Sequence, residues 1–217
     1  MSRSDHHKGR GPGNAAVVWA LFFLCLIPEA VLAGADLGLW GRPEWRQTAW
    51  AYAGFWSGLL GNWRPNYPFQ ALLMFSSYGF IHASLSHFTL NMLTLFSVAP
   101  PIVARIGQGR FLALYVASLI GGAAGFALLS NAIAPMVGAS GALLGLIGAA
   151  IAWEYDDLRA EGASLAPVGR ALLLLAGLNL LLWWAMNGHL AWETHLGGFI
   201  AGWIVARPLD PRGGQDA

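Results

Sequence analysis

Charge is scarce in this sequence. Only 11% of the 217 residues are Asp, Glu, Lys or Arg, where an ordinary soluble domain carries about 25%. A soluble surface cannot be built from so few. The 12 basic and 11 acidic residues leave a formal net charge of +1. That is no basic field for a phosphate backbone, so a nucleic-acid partner is excluded. Cysteine is nearly absent. The single Cys25 excludes a disulfide framework, and no Cys/His cluster has zinc spacing. No metal or cofactor is therefore expected. Disorder is excluded for the bulk of the chain, because it requires low hydrophobicity and high charge. What is abundant is apolar: 56% hydrophobic residues, 28 Gly and 11 Trp, with a mean hydropathy of +0.53. The composition is that of an all-α, polytopic membrane protein.

A bilayer core of about 30 Å needs about 20 apolar residues per helix. Six such stretches are expected, at about 15–32, 84–104, 111–129, 140–153, 168–186 and 190–208. The fourth is short. With the N-terminus inside, Arg3, Lys8, Arg10, Arg105, Arg110, Arg159, Arg170, Arg207 and Arg212 all fall inside, and only Arg42, Arg46 and Arg64 fall outside. The positive-inside rule then favours six spans with both termini cytoplasmic. A cleaved signal peptide ending at Val31-Leu32-Ala33 is the rival for the first span, and it leaves the orientation of the others unchanged. Residues 1–13 read as a disordered cytoplasmic tail, 14–208 as the membrane domain and 209–217 as a short cytoplasmic tail. The outer loop, about 37–70, carries Trp40, Trp45, Trp50, Trp56 and Trp63. It is expected to lie in the bilayer interface as one or two short helices, or else to pack on the bundle as an ordinary loop.

Polar groups inside a membrane are costly, so each is a functional candidate. On this topology Ser140 starts the fourth span, His195 lies about one turn into the sixth, and His82, His87 and Asn91 lie at the start of the second. All share one depth near the outer face. Ser140, in Gly138-Ala139-Ser140-Gly141, stands where a helix start offers free N–H groups. It is either a cap or a nucleophile beside an oxyanion site. His195 is either a buried hydrogen-bonding histidine or the base that takes the Ser140 proton. Glu193 is two residues away and faces elsewhere, and no Asp lies at that depth, so a dyad is expected. His87 and Asn91, four apart, share a helix face. They either bond between helices, at about 0.6 kcal/mol, or donate to an oxyanion, at about 2.7–4 kcal/mol per donor. Gly141/Gly145 and Gly198/Gly202 have GxxxG spacing, which permits close approach of the fourth and sixth helices.

These blocks resemble the rhomboid family of intramembrane serine proteases. The likeness rests on His82-x4-His87-x3-Asn91, Gly138-Ala139-Ser140-Gly141 and His195-x2-Gly198-x3-Gly202, in the family's order, over about residues 70–208. It implies Ser140 as nucleophile and His195 as general base. It implies His87, Asn91 and the Ser140 N–H as oxyanion donors, and His82, Gly138, Gly141, Gly198 and Gly202 as supports. Three departures from the family pattern stand out. Leu73 and Met74 stand where a Trp-Arg pair is common, Leu144 where an aromatic residue often underlies the imidazole, and Thr194 where Ala is frequent. The function so implied is a serine endopeptidase that cleaves single-span membrane proteins near the outer face, in a bacterial inner membrane. Substrate helices would enter past the fifth span, which ends in Leu182-Trp183-Trp184. The alternatives are a non-catalytic rhomboid-like chaperone that binds transmembrane helices, and a small transporter, for which the inverted repeat and buried carboxylates are missing.

Overall fold

A computed structural model describes residues 16–211. The expectations for the tail at 1–13 and for 212–217 lie outside the described residues. Seven α-helices are present among the described residues: α1 (Ala16–Asp36), α2 (Trp45–Ala53), α3 (Gln70–Ser77), α4 (Leu85–Leu129), α5 (Ser140–Ala160), α6 (Ala166–Ala185) and α7 (Trp192–Leu209). Two 3-10 turns, Ser57–Leu60 and Tyr78–Phe80, flank α3. Among the described residues there is no strand, only an isolated antiparallel bridge between Phe55 and Met136.

The 45 residues of α4 would extend about 68 Å as one rod, more than twice a bilayer core. They do not form one rod. Gly107 has φ +78° and ψ 166° and breaks the helix, a conformation that only glycine adopts freely. Its two limbs match the stretches expected at 84–104 and 111–129. The start of the first limb and the end of the second lie at the same end of the bundle. Tyr78 donates its hydroxyl to the Leu119 carbonyl at 2.7 Å, while its own carbonyl accepts from Gly138 N–H at 2.9 Å, and Gly138 lies against His87.

Among the described residues three helices are long and apolar enough to cross a membrane by length and composition: α1, α4 and α6. The helices α5 and α7 fall short because they carry charge: Glu154, Asp156, Asp157 and Arg159 toward the end of α5, and Glu193 and Arg207 at the two ends of α7. Most of α5 up to Trp153 is buried, α7 keeps Leu196, Ile200 and Ile204 exposed on its outer face, and the facing sides of the two are built of glycine. A methyl on Gly198 would overlap the Gly141 carbonyl, and one on Gly202 the Gly145 carbonyl. The fourth stretch is also longer than expected. It runs to Ala160, because the polar run after Trp153 continues the helix and pairs with its neighbours. Arg105 bonds Asp157 at 3.0 Å and Asp210 at 2.5 Å, and Arg207 bonds Asp156 at 2.9 Å. These pairs tie α4, α5 and α7 at the end remote from Ser140.

At the Ser140 end the tryptophan-rich segment is folded. The helix α2, one 3-10 turn and α3 pack there, held by side chains that reach backbone. Gln70 Nε2 donates to the Ala51 carbonyl at 2.7 Å, and Ser77 Oγ to the Ala53 carbonyl at 2.8 Å. Arg46 is buried. It pairs with Glu29 of α1 at 2.9 Å and with Asp36 at 2.6 Å, and its Nη1 donates to the His82 carbonyl at 2.8 Å.

Candidate active site

Ser140 is the first residue of α5. The turn before it is fixed twice. Met136 is bridged to Phe55, and Gly138 has φ +114°. Any side chain at 138 would be strained by that φ and would also strike the His87 ring. Glycine there lets the backbone approach His87 and Asn91. The cap position is Ala139, which makes no side-chain cap bond. Ser140 is therefore not spending its hydroxyl on its own helix. Its Oγ lies 2.9 Å from His195 Nε2.

His195 is held in α7, and the glycine contact of α5 with α7 sets the distance. A branched residue at 198 or 202 would push the two helices apart and open the Ser140–His195 gap. On its other side, His195 Nδ1 lies 2.5 Å from Asn179 Oδ1 on α6. The sequence offers no carboxylate placed to orient the imidazole, and the partner is instead Asn179, which the motif blocks do not include. A signal was there: Asn179 is the single strongly polar side chain in the stretch Leu172–Ala185, and polar groups in apolar spans carry a cost.

The segment that carries His82 and the start of α4 supplies the remaining candidates. Ser84 caps α4, its Oγ accepting from His87 N–H at 3.2 Å. His87 Nδ1 accepts from Ala83 N–H at 3.4 Å, which leaves the other nitrogen, Nε2, as the N–H donor facing Gly138. Asn91 is buried, and its Nδ2 has no hydrogen-bond partner among the described residues. Two donors from one helix face thus flank the glycine two residues before Ser140. His82 is fully buried, its ring meeting those of His87 and Phe88 edge to face at 5.3 and 5.4 Å. It does not touch Ser140. Its backbone carbonyl is what Arg46 holds.

The positions that depart from the family pattern have structural answers. Leu73 is exposed and Met74 is buried in the core, and the loop bonding is done instead by Gln70 and Arg46. Leu144 lines an apolar cavity of about 330 Å³ beside His195, between α5, α6 and α7. Thr194 is buried, its methyl against Gly122 and Gly141. No group of His, Cys, Asp and Glu able to hold a metal occurs among the described residues. The chemistry available is that of a hydroxyl, an imidazole and backbone or side-chain N–H donors.

The description "Rhomboid domain" matches residues 69–211. Over 129 residues the chain is 31% identical to the rhomboid protease GluP of Bacillus subtilis, covering 59% of this chain and 24% of that protein. It is 33% identical over 141 residues to the mitochondrial presenilin-associated rhomboid-like protein A of Danio rerio, covering 58% and 35%. It is 28% identical over 126 residues to the putative rhomboid protease YdcA of Bacillus subtilis, covering 58% and 61%. The matched region thus spans between about a quarter and three fifths of these relatives.

Proposed function

The chain belongs to the rhomboid family, and from that membership and the contact between Ser140 and His195 we propose that it is an intramembrane serine endopeptidase. The 2.9 Å separation of Oγ and Nε2 is the observation that carries this function. His195 Nε2 takes the Ser140 proton as the oxygen attacks a peptide carbonyl, and then returns it to the leaving amine. The same nitrogen next removes a proton from water to release the acyl group. Negative charge on the carbonyl oxygen is met by His87 Nε2–H, Asn91 Nδ2–H and the Ser140 N–H at the start of α5.

The proposed topology has six spans: α1, the two limbs of α4, α5, α6 and α7. Both termini are cytoplasmic, as the distribution of arginine favours, and Ser140 lies toward the outer face of a bacterial inner membrane. The substrates are single-span membrane proteins whose helix unwinds near that face, since a helical peptide bond is shielded and its carbonyl already bonded. They enter beside α6, which buries only Val168 and is thus the long helix least fixed to the bundle.

The test uses the full chain in proteoliposomes with tagged single-span proteins bearing Gly, Pro or polar residues near the outer end. Wild type is expected to release two fragments and Ser140→Ala none. Fragments from Ser140→Ala, or binding without cleavage by wild type, would favour the non-catalytic helix-binding alternative.

A further inference from the structure

His195 is bonded on both ring nitrogens, and the second bond comes from the loosely packed helix. The stripe of α6 turned toward the bundle is Ala171, Leu175 and Asn179, at four-residue spacing. The Asn179 amide is itself fixed. Its Nδ2 donates to the Leu175 carbonyl at 3.0 Å. That carbonyl is an acceptor only, so the atom facing it must be the NH2 group. Oδ1 then faces His195 Nδ1 at 2.5 Å. Oδ1 is also an acceptor only, so Nδ1 must carry the ring proton. The lone pair is thereby left on Nε2, beside the Ser140 hydroxyl. Two hydrogen bonds of the Asn179 amide, anchored in the α6 backbone, select the one tautomer that can act as base toward Ser140.

We propose that Asn179 is a positioning residue that holds His195 in its Nδ1–H tautomer and fixes its ring plane. This deepens, and rests on, the protease function proposed above. The packing around the ring shows why the bond matters. Leu144 offers no flat aromatic surface, and the cavity beside the imidazole leaves that side open. Without the bond, rotation about the side chain and exchange of the ring proton both become possible. When Nε2 gains the Ser140 proton, both N–H groups of the imidazolium are bonded, Nδ1–H to Asn179 and Nε2–H to the departing group. Asn179 accepts no proton at any stage.

The experiment compares wild type, Asn179→Leu, Asn179→Asp and Ser140→Ala, as full chains in proteoliposomes. Asn179→Leu keeps the size and removes the acceptor. Its kcat is expected to fall at least about tenfold with KM nearly unchanged, since the orienting partner of a catalytic histidine acts on the chemical step. Asn179→Asp restores the acceptor and is expected to regain most of kcat. A carboxylate favours imidazolium, so the acidic limb of its pH–kcat profile should move to higher pH by about one unit. The 15N signals of His195 give a readout independent of turnover: a protonated Nδ1 in wild type and mixed tautomers in Asn179→Leu. Wild-type kcat and tautomer in Asn179→Leu would overturn the proposal. So would an Asn179→Asp protein that melts normally yet stays as impaired as Asn179→Leu. Either result leaves the protease function standing provided Ser140→Ala is inactive. An active Ser140→Ala protein would instead overturn that function.

Discussion

The Gly198 α-carbon lies against the Gly141 carbonyl with no room for a methyl between them. This contact lets α5 and α7 approach closely enough for a hydroxyl on one and an imidazole on the other to meet. Overpacking a dense interior costs about 1–3 kcal/mol, and here the obstacle is backbone. Gly198→Val is expected to lower the melting temperature and to reduce turnover together. Unchanged melting and turnover would contradict the contact.

The imidazole should be dispensable for folding and indispensable for chemistry. His195→Ala removes the proposed base and leaves the glycine seam intact. Turnover in proteoliposomes is expected to vanish while thermal unfolding stays near that of wild type.

Asn91 acts beside other donors. Asn91→Ala should lower kcat by about a hundredfold, the scale of one lost oxyanion donor, with a small change in KM. It should retain more activity than His195→Ala, because His87 and the Ser140 N–H remain. Steady-state kinetics on one substrate checks the order of the two variants.

Arg46 and Glu29 form a pair exposed by only 7% and 1%. Removing one partner of a buried pair strands the other charge and costs about 3–5 kcal/mol. Arg46→Leu should therefore destabilise strongly, and Glu29→Leu with Arg46→Leu should recover much of the loss. Denaturation of the singles and the double forms the cycle. Non-additivity near zero would mean that the two groups act independently.

A cross-link between the first limb of α4 and α6 should block cleavage of single-span proteins. It should leave labelling by a small serine probe nearly intact, because the probe needs no lateral entry. Equal cleavage with and without the link would contradict entry beside α6.

The family resemblance was legible because three short blocks each demand a particular chemistry: glycine where a backbone turns beside a ring, histidine and asparagine one helical turn apart, glycines where helices touch. The helical stretches were legible from apolar length, as was a gap between 104 and 111, but not that Gly107 makes the break. Other features are products of tertiary contact. The extension of α5 to Ala160 depends on Asp156 and Asp157 finding Arg207 and Arg105, which lie 51 and 52 residues away. The Glu29–Arg46 pair joins α1 to α2, and Leu73 and Met74 gave no hint that Arg46 would do the bonding. Asn179 was visible as a lone polar residue, but its partner depends on which face α6 turns inward.

Labelling the full chain in membranes with a fluorophosphonate, followed by peptide mapping, tests the Ser140–His195 contact most directly. The adduct is expected on Ser140, absent in Ser140→Ala and greatly slowed in His195→Ala. An adduct on another residue, or labelling that survives Ser140→Ala, would contradict it.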